Sequence, residues 1–420
     1  MLPSARLAQG NFADMDLLCA DNFARAAARC GVEHIIYLGG LIPKSKHLSP
    51  HLRSRLEVEQ ALGAHGVPLT TLRAGLVLGA NGSSSEMLLR LARRLPIMVA
   101  PQWVASRTQP IGLSDVLTLL TYALSHPELA GQAYDVGCPD VLTYAQMLRQ
   151  TAQLLGRNTR VLTVPVKTLN LSLLWVSLIT QTPRQLVLPL VQSLQYDMVA
   201  RDGLRLQQLA GLAAQPFAQA LASALAGHDA TRPTPGQERR RARAIRQDCN
   251  VTSVQRLPLP PGCDAQHVAA LYVRWLRRFL RPFLRVRIGP RQAYYRFYLP
   301  GLRWPLLELT YAAEHSGPAR VMYYVTGGLL TRLPSPDAGA PILPQARPPG
   351  MGRFEFRTLP GRDLVLVAVH DFAPRLPWLL YRLTQAQLHA LIMRCFGRFL
   401  GRLKQRRLAR LSLQGKRPRD

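Results

Sequence analysis

Acidic residues are scarce: 24 Asp and Glu stand against 53 Lys and Arg in 420 residues, a formal net charge of +29. Lysine occurs at only five positions (Lys44, Lys46, Lys167, Lys404 and Lys416), so the positive charge is almost all arginine. That excess calls for an anionic partner: nucleic acid, a membrane surface or a phosphate-bearing ligand. Cysteine is sparse as well. Cys19, Cys30, Cys138, Cys249, Cys263 and Cys395 are scattered without a C-x-x-C pair or a paired His/Cys spacing. This argues against a disulfide framework or a zinc site, and no metal is expected; the redox setting it implies is a reducing cytoplasm. Long apolar runs are missing too. The nearest approach, residues 169–179, reaches about half of the roughly 18 residues a spanning helix needs. The first ten residues lack the basic start, apolar centre and small-residue cleavage site of a secretory signal. HExxH, GxSxG and GxxxxGK[ST] are all absent, which removes the usual support for a metalloprotease, a serine hydrolase or a P-loop NTPase. No recognised RNA- or DNA-binding motif accompanies the charge, so nucleic acid is not the expected partner.

What is present is ample for folding. A chain of this length with 48% hydrophobic residues carries two or three domain cores. Composition changes most sharply at residues 227–246, GHDATRPTPGQERRRARAIR, where proline, polar residues and six arginines replace apolar periodicity. This reads as a linker, giving domains over 1–229 and 261–420 with an Arg/Pro-rich connection over 230–260. A proline-rich stretch, 334–352, reads as a long loop within the second domain.

The two parts have different grammars. In the first, an alanine-rich helix (22–29) precedes a short apolar run (34–38, HIIYL), a second helix (51–65) and a second apolar run (69–78, LTTLRAGLVL). Helix and buried strand in alternation predict an α/β fold on a parallel sheet. In the second, a basic amphipathic helix (265–281) precedes alternating stretches at 293–299, 306–312, 320–326, 354–358 and 364–369, and a helix over 378–411 closes the chain. Meandering strands followed by one long helix predict an α+β layer, an antiparallel sheet packed on its terminal helix.

Gly75-Leu-Val-Leu-Gly79-Ala-Asn-Gly82 follows a strand and precedes a helix (86–94), as a dinucleotide fingerprint does. The acid that should follow about 20 residues later to hold the ribose is missing from residues 96–107, which favours a plain loop. Ser83-Ser-Ser-Glu86 reads as an N-cap with Glu in the first turn. His370-Asp371 and Glu314-His315 sit at predicted strand ends, where turn chemistry accounts for them.

Taken in order, Tyr37-Leu-Gly-Gly40, His51-Leu-Arg-Ser-Arg55-Leu-Glu-Val-Glu59 and Leu72-Arg73-Ala-Gly-Leu-Val-Leu-Gly79 form strand end, helix start and strand with loop. Leu95-Pro-Ile-Met-Val-Ala-Pro-Gln-Trp103, the 107–116 stretch and Tyr134-Asp-Val-Gly-Cys-Pro-Asp-Val-Leu-Thr-Tyr144 extend the pattern. Over residues 10–225 this resembles the second half of the short-chain dehydrogenase/reductase superfamily, in its atypical, NmrA-like NAD(P)-binding branch. The resemblance implies a partial Rossmann-like sheet. Only 36 residues precede Tyr37, so the first βαβ units, with their glycine-rich turn and ribose-binding acid, are expected to be missing. It places His51 where the family has its general-acid tyrosine, Arg55 where it has the lysine, and Gly39 and Gly40 where it has the substrate-orienting serine. No competent Tyr-Lys site follows, and the catalytic residues stay unassigned. The cofactor implied is NAD(P), with Gly40, His51, Arg55, Ala74, Gly75, Leu76 and Val77 as contacts on its nicotinamide side and only weak binding expected. The uncovered edge of the 34–38 strand calls for pairing with another element or a partner chain.

Two basic segments, 274–287 and 394–419, interleave arginine with large apolar residues or carry ten basic residues without an acid. Both suit an anionic membrane surface, but Pro282 within the first and the strands flanking both favour a helix packed on a sheet. Gly352-Arg-Phe-Glu-Phe and Leu376-Pro-Trp-Leu-Leu-Tyr-Arg-Leu are similar to a domain that follows the reductase-like domain in some atypical members and resembles helix-grip lipid-binding folds. That likeness implies a cavity for a small apolar or lipid-like ligand. Tyr294, Tyr295, Phe297, Tyr298, Tyr311, Tyr323 and Tyr324 either line it or form a core. Two functions are therefore expected: a reductase-like NAD(P)-binding protein, or a non-enzymatic lipid-binding protein, cytoplasmic or membrane-associated, acting through the basic second domain.

Overall fold

The computed structural model describes residues 6–9, 12–45, 48–80, 82–94, 97–157, 160–164, 193–230, 250–332 and 351–414. The chain forms two compact units, one of Cys19–Thr234 and one of Met1–Leu18 with Pro235–Asp420. It opens on β1 (Arg6–Gln9) and α1 (Phe12–Arg29), within which the division falls.

The α/β unit is built on β2 (Ile35–Gly40), β3 (Leu69–Ala74) and, further on, β8 (Ala133–Val136). They form a parallel sheet in the order β2-β3-β8. Helix α2 (Pro50–Leu62) joins β2 to β3; Ser49 caps it, its hydroxyl accepting from Leu52 N–H at 3.2 Å, and Pro50 sits in its first turn. The apolar run 69–78 divides: β3 ends at Ala74, and β4 (Val77–Leu78) leaves to pair elsewhere. Gly75 explains the break, because a Cβ there would lie 2.9 Å from the Gln109 carbonyl oxygen. The remaining elements are α3 (Ser83–Arg94), β5 (Ile97–Pro101), β6 (Arg107–Thr108), β7 (Ile111–Gly112), α4 (Leu113–Ser125), β9 (Leu142–Thr143), α5 (Tyr144–Leu154), β10 (Arg160–Val164), α6 (Arg205–Leu209) and α7 (Phe217–Ala230). Strand β4 pairs with β7, β5 with β10, and β6 with β9. Buried apolar residues from these segments form the core, Leu72, Ile111, Leu119 and Val136 on one side and Leu78, Trp103, Met147 and Phe217 on another.

The second unit opens with β11 (Val251–Pro258), which lies inside the stretch expected to be linker. Val251, Thr252, Ser253, Val254 and Leu257 are buried, so it belongs to the sheet. Strand β1 pairs with it in parallel. After α8 (Ala265–Phe279) come β12 (Arg285–Ile288), β13 (Tyr294–Tyr298), β14 (Leu307–Tyr311), β15 (Arg320–Gly327), β16 (Arg353–Thr358) and β17 (Leu364–Phe372). The order β11-β17-β16-β15-β14-β13-β12 is antiparallel throughout, so the first strand closes against the last. The closing helix is interrupted: α9 (Trp378–Leu383) ends at Thr384, and α10 (Gln385–Gln414) follows.

One face of the sheet carries the core. Helix α8 buries Val268, Ala269, Tyr272, Val273 and Leu276 there, and α10 buries Met393, Phe396 and Leu400. The Tyr272 ring lies 5.6 Å from those of Phe354 and Phe356 and 5.1 Å from that of Phe396, which joins both helices to the sheet. Gly397 lets α10 approach closely, since a Cβ there would stand 3.0 Å from Leu257 Cδ2. The basic helix of residues 265–281 is thus a packing helix along its apolar face, and it ends at Phe279, ahead of Pro282.

Candidate functional site

Two places in the molecule gather residues with chemistry to offer. In open parallel sheets ligands bind outside the carboxyl ends of the strands. There the register sets Gly40 beside Ala74, and Leu41 N–H donates to the Ala74 carbonyl at 3.0 Å. The stem of Arg55 lies beside Gly40, its Cγ 3.9 Å from where a Cβ would be. Of the residues the sequence singles out, Gly40, Arg55 and Ala74 therefore meet at this edge, with Gly75 next in the chain. His51 sits partly buried in the first turn of α2. Leu76 packs against the cluster of Leu78 and Phe217, and Val77 against that of Leu72 and Ile111.

Ion pairs that the sequence reading did not anticipate brace the same strands. Arg73 donates to both Glu59 carboxylate oxygens, at 3.1 and 2.6 Å, tying β3 to α2. Asp135, opposite Arg73 on β8, accepts from Arg201 N–H at 3.1 Å, while its own N–H donates to Asp202 at 3.0 Å. Burial raises the Asp135 pKa, against the opposing pull of the Arg201 N–H.

A dinucleotide needs free backbone N–H groups at a helix N-terminus for its diphosphate. In the strand–glycine–helix passage that the sequence offers, residues 75–86, two of the glycine amides are committed elsewhere. Gly79 N–H donates to Ser85 Oγ at 3.0 Å and Gly82 N–H to the Gly79 carbonyl at 3.1 Å, so these two glycine amides are satisfied within the loop. A Cβ at Gly79 would also stand 2.8 Å from Leu113 Cδ2, which shows how tightly the loop is packed. Neither glycine amide is open to the cofactor's diphosphate.

The second place is a cavity of about 220 Å³ between the sheet and its helices in the second unit. Leu276, Leu280 and Leu284 line it from α8 and the turn after it, Phe297, Leu309, Val325, Phe354 and Val369 from the strands, and Leu388 and Ile392 from α10. Of the seven aromatics proposed for a pocket wall or a core, only Phe297 is in the wall. Tyr295 and Tyr323 are core residues, their rings 5.4 Å apart, with Tyr311 5.7 Å from Tyr323. Strand alternation puts Tyr294 and Tyr298 on the opposite face, where Arg296 and Arg287 lie over their rings at 4.6 and 5.2 Å. Tyr324 faces His315, with 6.3 Å between the rings.

No family model and no curated protein matches the chain. Solved structures do resemble about half of it. The NADPH-dependent quinone oxidoreductase of Escherichia coli, complexed with NADPH, is 17% identical, with a TM-score of 0.39 over 48% of this chain and 69% of that one. The Citrobacter sp. triphenylmethane reductase complexed with NADP(H) is 16% identical, with a TM-score of 0.40 over 50% and 70%. A nucleoside-diphosphate-sugar epimerase of Staphylococcus aureus is 15% identical, with a TM-score of 0.39 over 48% and 69%. The chain is thus distantly similar to NAD(P)-dependent reductases and epimerases.

Few polar groups reach the cavity of the second unit. Ser253 lines it from β11, its Oγ accepting from Gln255 Nε2 at 2.7 Å. Tyr272 and Tyr381 line it as well, and burial pushes the Tyr381 hydroxyl up to about 12. Gln385 and His389, one turn apart on α10, complete the set. Gln385 Oε1 and His389 Nε2 are both shut off from solvent and have no hydrogen-bond partner. Burial lowers the His389 pKa to about 4, so the imidazole is neutral at physiological pH. The sequence reading passed over this pair, although a signal existed. Gln385, His389, Ile392 and Phe396 follow one helical stripe, and its two polar members interrupt an otherwise apolar face.

Proposed function

We propose that the chain binds a small, predominantly apolar molecule in the cavity of its second unit. The observation that carries this reading is the cavity itself. Its walls are leucine, valine, isoleucine and phenylalanine with few polar groups, the usual composition of a small-molecule site. Its size suits a bicyclic guest, being about half as large again as the ~150 Å³ cavity that takes up benzene. Titration of the full chain with naphthalene should give saturable binding. Leu276→Trp, which places an indole in the space, should abolish that binding while preserving the circular dichroism spectrum. Binding unaffected by this substitution would place the guest elsewhere and refute the reading.

The likeness to reductases and epimerases suggests descent from a dinucleotide-binding fold. We take the α/β unit to be a scaffold of that descent, its strand ends at Gly40, Ala74 and Gly75 retained without a diphosphate cradle. Titration with NADPH should therefore show no saturable binding at micromolar concentrations, and a micromolar Kd would return the α/β edge to the centre of the function.

A membrane setting is favoured by a separate observation. No helix among the described residues is long and apolar enough to cross a membrane. Yet Leu379, Leu380 and Leu383 of α9 are each more than half exposed, as are Phe283 and Trp304. Arg375 and Arg382 stand among these leucines in sequence, and the whole chain carries +29. Apolar side chains among arginines suit insertion at an anionic lipid surface. Co-sedimentation with phosphatidylserine-containing vesicles should be salt-sensitive and should fall several-fold in Leu379→Gln/Leu383→Gln. Equal binding to neutral vesicles, or no effect of the double substitution, would rule this surface out.

A further inference from the structure

The two unpartnered polar atoms of the cavity specify its guest more closely, granted that the cavity is a binding site. Native proteins pair nearly all their buried polar groups, because an orphaned one loses its hydration and gains nothing in return. Gln385 and His389 are such an exception, twice over, on one helical face and in one cavity wall. Residues four apart on a helix are neighbours, their Cβ atoms roughly 5–6 Å apart, so one small group can reach both once their side chains turn their closed-off polar tips towards it. Elsewhere among the described lining residues polarity comes from Ser253 and two tyrosines, and no Lys, Arg, Asp or Glu contributes.

We propose that the cavity selects an uncharged molecule whose apolar body carries a hydroxyl group, the hydroxyl donating to Gln385 Oε1 and accepting from His389 Nε2–H. A hydroxyl is the smallest group that supplies one donor and two acceptor sites at a single atom. A hydroxyl still fits if the amide oxygen and nitrogen of Gln385 are exchanged, since it then accepts from the amide and donates to the imidazole. With Gln385 Oε1 facing the guest, a carbonyl or ether, which only accepts, leaves that oxygen without a donor. A carboxylate fits worst. It would enter a wall without a cation, face the carbonyl end of an amide and lose its own hydration. The neutral state of His389 adds to that exclusion, because it offers no counter-charge.

Three probes of one ring system separate the terms: naphthalene, 1-naphthol and 1-naphthoate, titrated calorimetrically at pH 7 against the full chain. The expected order is 1-naphthol tightest, by about tenfold over naphthalene for a pair of buried hydrogen bonds, with 1-naphthoate weakest. In Gln385→Leu/His389→Leu the advantage of 1-naphthol should vanish while naphthalene binds at least as tightly as before. Retained naphthalene binding also reports that the variant is folded. Gln385→Met, which conserves volume, should remove part of the advantage by itself. Equal affinity for naphthalene and 1-naphthol in the native chain would overturn the proposal, as would a preference that survives the double substitution. So would 1-naphthoate binding more tightly than 1-naphthol. In each of these cases naphthalene still binds and the cavity reading stands. If none of the three binds, that reading falls first and this one with it.

Discussion

Glu355→Gln is expected to destabilise the second unit by about 3–5 kcal/mol, the usual cost of removing one member of a buried ion pair. Glu355 lies on β16 between Phe354 and Phe356, which point into the core, so its own side chain lies on the opposite face of the sheet. It is 2% exposed and its neighbour Arg357 is fully buried. The carboxylate accepts from Arg320 Nε at 2.9 Å and from Arg357 Nε at 2.7 Å, and His370 Nε2 stands 3.6 Å from its other oxygen. Burial alone would raise its pKa. The His370 imidazole and the charges of Arg357 and Arg320 outweigh burial and hold the pKa at about 2, against an ordinary 4.5. Neutralising the acid takes from the buried Arg357 guanidinium the carboxylate it donates to, which is why the loss is large.

The sign of the pH dependence follows. A carboxyl with a depressed folded-state pKa stabilises the fold fully above its unfolded value and loses that contribution as pH falls through the folded one. The gap here corresponds to roughly 3 kcal/mol, lost between about pH 4.5 and pH 2. Urea unfolding followed by tryptophan fluorescence should therefore show wild type and Glu355→Gln far apart at pH 7 and converging towards pH 2. A difference at pH 7 within about 0.5 kcal/mol, the range of an ordinary surface change, would refute the claim that this cluster braces the sheet.

The architecture was legible where burial writes a continuous signal. Strands β2 and β3, enclosed in a parallel sheet, read as apolar runs, and the alternation of β13 to β17 exposed the antiparallel meander. Strand β11 escaped because Ser253, Gln255 and Arg256 dilute its pattern and its partner β17 lies more than a hundred residues on. Strand β1 is four residues long and pairs with the still more distant β11, so nothing local announces it. The 69–78 run looked like one strand because the contact that breaks it, Gly75 against the Gln109 carbonyl, joins residues far apart in sequence. The cavity was harder still. A wall assembled from two helices, several strands and the turns between them has no period, and the aromatic alternation of β13 drew attention to residues half of which face the other way. Gln385 and His389 are informative only once their helix is known to lie over a cavity.

That helix is also where a deletion should weaken fold and site together. Phe396→Ala is expected to cost about 3–5 kcal/mol, the range for emptying a fully enclosed phenylalanine site. Phe396 is completely buried, and its ring stands 5.1 Å from that of Tyr272 and 5.2 Å from that of Trp275, both on α8. Those aromatic contacts add about 0.5–1.5 kcal/mol each beyond area burial, which places the result near the top of the range. The site cannot collapse easily. Gly397 already brings α10 within van der Waals contact of Leu257, so the backbone has little room to move inward. Because Ile392, His389 and Gln385 continue the same stripe, loosening the helix at Phe396 should reduce naphthalene affinity as well as the urea midpoint. Leu411→Ala provides the contrast: the residue is half exposed near the end of the same helix, and its loss should change stability by no more than about 0.5 kcal/mol. A Phe396→Ala protein that lost stability yet bound naphthalene with unchanged affinity would mean that the cavity wall is held by the sheet, with α10 serving only as a lid.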